Sequence, residues 1–233
     1  RERFIKALKR EPLTGLVPTF EMVFFLTMEA LGKVHPAHRA FGQWNQMSKE
    51  EQDAQIKDIA QVYVDTARKY HHSAIFPQLN TLDPTDFTER VLQAIRDISG
   101  DEFYVMLHGD PTFPMPDGHN MVEFSAMMFE EPEKLHEISK RNVEAFTNIA
   151  RHYEGSGLLD GFCLCSDYCF NTNPFFSRPM FEEFITPYLS DILARYREMG
   201  YYSIKHTDGN IMPIIDLMVD CKPDALHSLD PQG

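Results

Sequence analysis

Short apolar runs alternate with segments of helical period along almost the whole chain. Residues 16–22 form an apolar run after Thr14-Gly15, in which Pro18 limits the run to the first residues of a strand. Ser48-Lys49-Glu50-Glu51 is a capping box opening a helix that carries Ile56, Ile59, Ala60, Tyr63 and Ala67 at helical spacing. Residues 73–79 again have strand character, and residues 85–99 are helical, with Val91, Leu92, Ile95 and Ile98 on one stripe and Gly100 as the stop. The alternation continues with strands at 103–107, 161–166, 202–206 and 225–229. Between them the pattern predicts helices at 121–129, 132–153, 179–199 and 212–219, with Ser177 at the N-cap of the third.

Near-continuous apolar strands separated by helices indicate a parallel sheet covered on both faces. An open doubly wound sheet and a closed barrel both satisfy that order. A dinucleotide-binding sheet needs a glycine-rich turn after its first strand, and none follows it here. Gly155-Ser156-Gly157 lies between a helix and a strand, the reverse of the order a phosphate cradle needs. The expected fold is therefore α/β, a (β/α)8 TIM barrel. About six βα units are visible, whereas a whole barrel has eight strands and about 250 residues. Residues 1–233 are accordingly expected to form a single barrel domain, incomplete at its C-terminus, with the last two βα units beyond Gly233.

Composition narrows the partners. The net charge is −13, which argues against nucleic acid and anionic lipid surfaces. No run of roughly 18 apolar residues is present, so no membrane-spanning helix is expected. The first ten residues, Arg1 to Arg10, form a basic amphipathic helix and contain no signal-peptide core. Four cysteines are too few for a disulfide scaffold of this size, so the expected compartment is the cytoplasm.

In a barrel, chemistry collects at the C-terminal ends of the strands. Here those ends carry Glu21, Asn80, His108 with Asp110, Asp167 with Tyr168, His206 with Asp208, and His227. Alternation along a strand puts His206 and Asp208 on one face, roughly 7 Å apart. Such a pair could exchange protons or bind a metal, although a catalytic zinc needs a third protein ligand. The alternative is a buried imidazole oriented by a loop carboxylate, with Gly209-Asn210 as the turn. Cys163, Cys165 and Asp167 share a face of their own strand, so Cys165 is a candidate ligand opposite His206. Buried cysteine is also a common small core residue.

These residues also carry a family likeness. Residues 1–18 (RERFIKALKREPLTGLVP), Ser166-Asp167-Tyr168, Pro174-Phe175-Phe176-Ser177 and Phe184-Ile185-Thr186-Pro187-Tyr188 resemble the motifs of the uroporphyrinogen decarboxylase superfamily, in the family's order. Ile204-Lys205-His206-Thr207-Asp208-Gly209-Asn210 and His227-Ser228-Leu229-Asp230-Pro231 extend the resemblance over almost the whole chain. It implies a (β/α)8 barrel with its pocket at the C-terminal face.

The resemblance implies two competing chemistries. True uroporphyrinogen decarboxylases, carboxy-lyases of porphyrin and haem biosynthesis, act without a cofactor. They hold a polyanionic tetrapyrrole with an Arg-Gln-Ala-Gly-Arg motif. This chain has Glu21-Met22-Val23-Phe24-Phe25 in that region and no arginine until Arg39. Without the paired guanidinium clamp, many carboxylates would stay poorly neutralised. The other branch comprises methyltransferases and demethylases that work with a corrinoid protein, some with zinc held by His-x-Cys and a later Cys. The corresponding spot here is His206-x-Asp208, so the thiolate is replaced by an acid suited to delivering a proton to the leaving group or to binding a pterin acceptor.

The expected function is thus a methyltransferase-like enzyme moving a methyl group between a small donor and a corrinoid or pterin/thiol acceptor. Its catalytic pair is His206 and Asp208, and its pocket is lined by Glu21, Asn80, His108, Asp167, Tyr168, Asn210 and His227. Zinc at His206, with Asp208 or Cys165, and a partner corrinoid protein are the expected cofactors. The expected oligomeric state is a monomer or homodimer. The alternatives are the cofactor-free decarboxylase and a non-catalytic corrinoid- or pterin-binding barrel.

Overall fold

A computed structural model describes residues 1–23, 25–39, 43–79 and 86–227. They sort into two compact units, Arg1–His108 with Gly155–Asp160, and Gly109–Glu154 with Gly161–Gly233.

In the first unit, α1 (Glu2–Leu8) and the short α2 (Phe25–Glu29) precede α3 (Lys49–Lys69). The capping box at the start of α3 is complete: Ser48 Oγ accepts from Glu51 N–H, and the Glu51 carboxylate accepts from Ser48 N–H at 2.8 Å. Such a cap is worth about 1 kcal/mol. Strand β1 (Ala74–Ile75) leads to α4 (Asp86–Ser99) and then to β2 (Tyr104–His108), which pairs parallel with β1. Helices α3 and α4 pack on each other, and Ile56, Ile59 and Tyr63 of the first and Val91, Leu92 and Ile95 of the second are all buried.

Two expected strands in this unit differ from the sequence reading. The run at 16–22 forms no strand; Leu16 and Val17 are exposed. Pro18 lacks a donor, and Thr19 makes one backbone bond, its carbonyl accepting from Ser73 N–H at 2.7 Å. The strand expected at 73–79 shortens to two residues, since Pro77 interrupts the ladder and Gln78 turns its backbone N–H and carbonyl to the Tyr63 hydroxyl.

The second unit contains α5 (Met121–Glu130), α6 (Pro132–Tyr153), β3 (Gly161–Cys165), α7 (Arg178–Phe184), α8 (Thr186–Glu198), β4 (Tyr202–His206), α9 (Ile215–Asp220) and β5 (Ala225–His227). Strands β3, β4 and β5 form a parallel ladder in chain order, with Cys165 level with His206 and His206 level with His227. The helix expected at 179–199 is two helices. Pro187, near the start of α8, has no N–H for a turn running back to Glu183, so the chain bends at Ile185. Ser177 occupies the N-cap of α7, but its side chain makes no cap bond.

Among the described residues there are five strands, each pairing parallel with a neighbour, and helix separates them along the chain. The chain is α/β, as the strand–helix alternation requires. No described helix is long and apolar enough to cross a membrane.

Candidate active site

The ladder of the second unit sets which side chains meet. Residues level with one another in a parallel sheet project to the same face, so Cys165, His206 and His227 form a row across β3, β4 and β5. Period-2 alternation adds Cys163 one step below. Phe162 projects to the opposite face, where its ring stacks on Tyr196 of α8 at 4.2 Å. That face is covered by helix; the row containing His206 lies on the other.

Asp167 and Asp208, two residues beyond Cys165 and His206, flank the His206 ring. His206 Nε2 lies 3.5 Å from Asp167 Oδ1 and 3.8 Å from Asp208 Oδ2, and Asp208 N–H donates to Asp167 Oδ1 at 3.0 Å. His206 is 8% exposed and both carboxylates are open to solvent, so the ring sits at the floor of an acidic mouth. On its other side, His206 Nδ1 and His227 Nδ1 are 2.9 Å apart, a contact that holds one proton between two nitrogens. Burial, then the neighbouring His206, pushes the His227 pKa below the usual histidine value, and Asp208 only partly opposes this. A neutral His227 can accept from His206 Nδ1, and His206 Nε2 faces the carboxylates.

One ligand atom each from Asp167, His206 and Asp208 falls within 4.8 Å of the others. Three protein ligands of imidazole and carboxylate type fit a catalytic zinc or a similar divalent ion with an open coordination position. The group contains no thiolate.

The loops that carry the carboxylates are tied down. Gly209 has φ +83°, and a Cβ there would come within 2.6 Å of Cys169 O and 2.7 Å of Phe170 O. Asn210 N–H donates to Phe170 O at 2.9 Å, its Oδ1 accepts from Met212 N–H, and its Nδ2 donates to Thr172 O. Asn210 is thus spent on closing the loop.

A buried polar network backs the site from the helix-covered face. Lys205 Nζ lies 2.8 Å from Asp110 Oδ2 and also reaches the carbonyls of Leu164, Ser166 and His206 at 3.2, 3.0 and 2.7 Å. Asp110 Oδ1 accepts from Thr112 N–H and Oγ1–H, and Thr112 Oγ1 is 2.6 Å from the Tyr168 hydroxyl. The Tyr168 ring lies 4.2 Å from the Lys205 ammonium. Thr207 Oγ1 accepts from Tyr168 N–H at 3.0 Å.

Of the residues expected to act together, Asp167, His206, Asp208 and His227 meet. Tyr168 is fully buried within the supporting network. Glu21 and His108 belong to the first unit, where Glu21 accepts from Thr27 Oγ1 at 2.8 Å and His108 ends β2 half-buried. Asn80 lies outside the described residues. Lys205 and Thr112 were not anticipated. The available signal was a lysine inside the strand-like run Tyr202-Ser203-Ile204-Lys205-His206, since a lysine buried in a sheet needs a charged partner.

Comparison with known families gives a match to the family described as Uroporphyrinogen decarboxylase (URO-D) over residues 115–232. No curated protein matches the chain.

Proposed function

Because the chain belongs to the uroporphyrinogen decarboxylase superfamily, we propose that it is a methyltransferase-like enzyme. In this reading it moves a methyl group between a small donor and a corrinoid or pterin/thiol acceptor, the corrinoid being carried by a partner protein. The observation that carries the reading is the acidic mouth over His206, with Asp167 and Asp208 at 3.5 and 3.8 Å from Nε2. Two open carboxylates there repel a substrate bearing many carboxylates and favour a neutral or cationic donor.

The residues divide the work as follows. Asp167 and Asp208 orient His206 Nε2, the atom from which a proton reaches the leaving oxygen or nitrogen of the donor. As the methyl group departs, the leaving atom keeps the bonding pair and takes that proton. His227 orients the imidazole through the 2.9 Å Nδ1 contact. A zinc ion held by Asp167, His206 and Asp208 would take the place of a proton on His206 Nε2 and would supply Lewis-acid activation of the donor or acceptor instead. Within the same proposal, both units belong to one domain and β1 to β5 are five of the eight strands of a (β/α)8 barrel.

The test uses two assays on the same preparation. Methyl transfer to cob(I)alamin from methylamines or methoxyarenes is expected, together with no decarboxylation of uroporphyrinogen. Coproporphyrinogen forming at a useful rate would overturn the reading in favour of the carboxy-lyase. Absence of both activities, with retained binding of cobalamin, would favour a non-catalytic binding barrel.

A further inference from the structure

The proposed methyl transfer leaves Cys163 and Cys165 without a role. They project from the same face of β3, and their sulfurs lie 3.5 Å apart. Cys163 is fully buried and Cys165 half-buried, and neither is in a disulfide. A disulfide needs sulfurs roughly 2.04 Å apart and Cα atoms no more than about 6.8 Å apart. Residues two apart on an extended strand stand about 6.6 Å apart, near the upper end of that range, so drawing the sulfurs from 3.5 Å to bonding distance would strain the strand. The hydrogen bond from Cys165, with burial, pushes the Cys163 thiol well above the usual cysteine pKa.

The spacing selects what can bridge them. An atom about 2.3 Å from both sulfurs would subtend an angle of about 99° across the 3.5 Å gap. Linear two-coordinate ions need sulfurs about 4.6 Å apart at the same bond length, well beyond this separation. A tetrahedral ion opens a wider angle and needs two further ligands. A pyramidal trivalent centre with a lone pair matches the angle and needs only two protein sulfurs.

We propose that Cys163 and Cys165 form a dithiol site for trivalent arsenicals, a binding property independent of the methyl-transfer reading. With an organoarsenic oxide, R–As=O, both As–O bonds break and two As–S bonds form. The two thiol protons leave with the oxygen as water, and no atom changes oxidation state. The product is a closed ring through Cys163, Leu164 and Cys165.

The test adds phenylarsine oxide to the purified chain in dithiol-free buffer. Expected are one phenylarsenic group per chain by mass and the loss of two of the four thiols, counted after the chain is unfolded. The adduct should survive excess 2-mercaptoethanol and be reversed by 2,3-dimercaptopropanol. C165S, at a half-buried position, should lose the adduct, and so should C163S where it folds. C169S and C221S should keep it. An adduct that persists in C165S, or a wild-type chain that keeps all four thiols reactive, would overturn the proposal.

Discussion

The Lys205 ammonium and the Asp110 carboxylate lie 2.8 Å apart, and both side chains are completely buried. Lys205 follows Ile204 on β4 and precedes His206, so the residue that fills the acidic mouth is bonded to one anchored on the opposite face. Its contacts with the carbonyls of Leu164, Ser166 and His206 bind the C-terminal ends of β3 and β4 to one charge. Those ends carry Asp167 and Asp208. The geometry of the candidate site therefore depends on an ion pair that faces away from it.

Removing one member leaves the other charge buried and unpaired. Lys205→Met is expected to destabilise the fold by about 3–5 kcal/mol, measured by urea unfolding at neutral pH. The double variant Lys205→Met, Asp110→Leu should recover much of that loss. Burial pushes the Asp110 pKa up, but the Lys205 charge and the hydrogen bonds from Lys205 and Thr112 hold it below its ordinary value. A carboxylate with a depressed folded pKa contributes stability above its unfolded pKa of about 3.9 and loses it as pH falls through the folded value. Destabilisation by Lys205→Met should accordingly shrink in strong acid.

The strand and helix order was legible because β2 and β3, buried on both faces for most of their length, read as near-continuous apolar runs. His206 and Asp208 were legible because period-2 alternation puts them on one face of β4. The partnership of Lys205 with Asp110 was not, because the two are 95 residues apart and only the fold brings them together. Residues 16–22 misled for a different reason. Leu16 and Val17 have strand composition, but a strand exists only where a neighbour supplies a ladder, and Pro18 removes the donor this one needs. The break between α7 and α8 was signalled by Pro187, which the continuous apolar stripe outweighed.

His35 gives the first unit a pH dependence of its own. Its Nδ1 accepts from Ala37 N–H at 3.0 Å, so Nε2 carries the hydrogen that faces the Tyr63 hydroxyl at 3.2 Å. Burial, then His38 and Arg39, lowers its pKa to about 4. A histidine depressed in the folded state contributes stability that is complete above about 6.5 and is lost as pH falls toward about 4. The loss is at most about 3 kcal/mol for this group. Thermal unfolding from pH 7.5 to 4.5 should show the decline, and His35→Gln should flatten it.

Asp208→Asn keeps the size of the side chain while removing its charge. If Asp208 orients His206 Nε2 toward the donor, methyl transfer should fall by about 100-fold or more with little change in thermal stability. Metal analysis supplies an independent readout: zinc bound in proportion to protein should be lost in His206→Ala. Unchanged turnover in Asp208→Asn would move the chemistry elsewhere in the site.

Gly209 holds Asp208 in place for two separable reasons, and substitution distinguishes them. The left-handed φ of +83° costs an alanine about 1–2 kcal/mol. A Cβ would also meet the backbone oxygens of Cys169 and Phe170, which cannot swing aside as a side chain could. Gly209→Ala is therefore expected to cost more than about 2 kcal/mol in thermal unfolding and to lower methyl transfer by displacing Asp208. Asparagine tolerates positive φ but still carries a Cβ, so Gly209→Asn should be nearly as damaging as alanine. Gly100 is the control, with φ +54° and nothing within 4 Å of a Cβ. There alanine should cost only about 1 kcal/mol, and asparagine should recover part of that. If asparagine also restored stability at position 209, backbone conformation alone would account for the glycine, and the contact with Cys169 and Phe170 would not position Asp208.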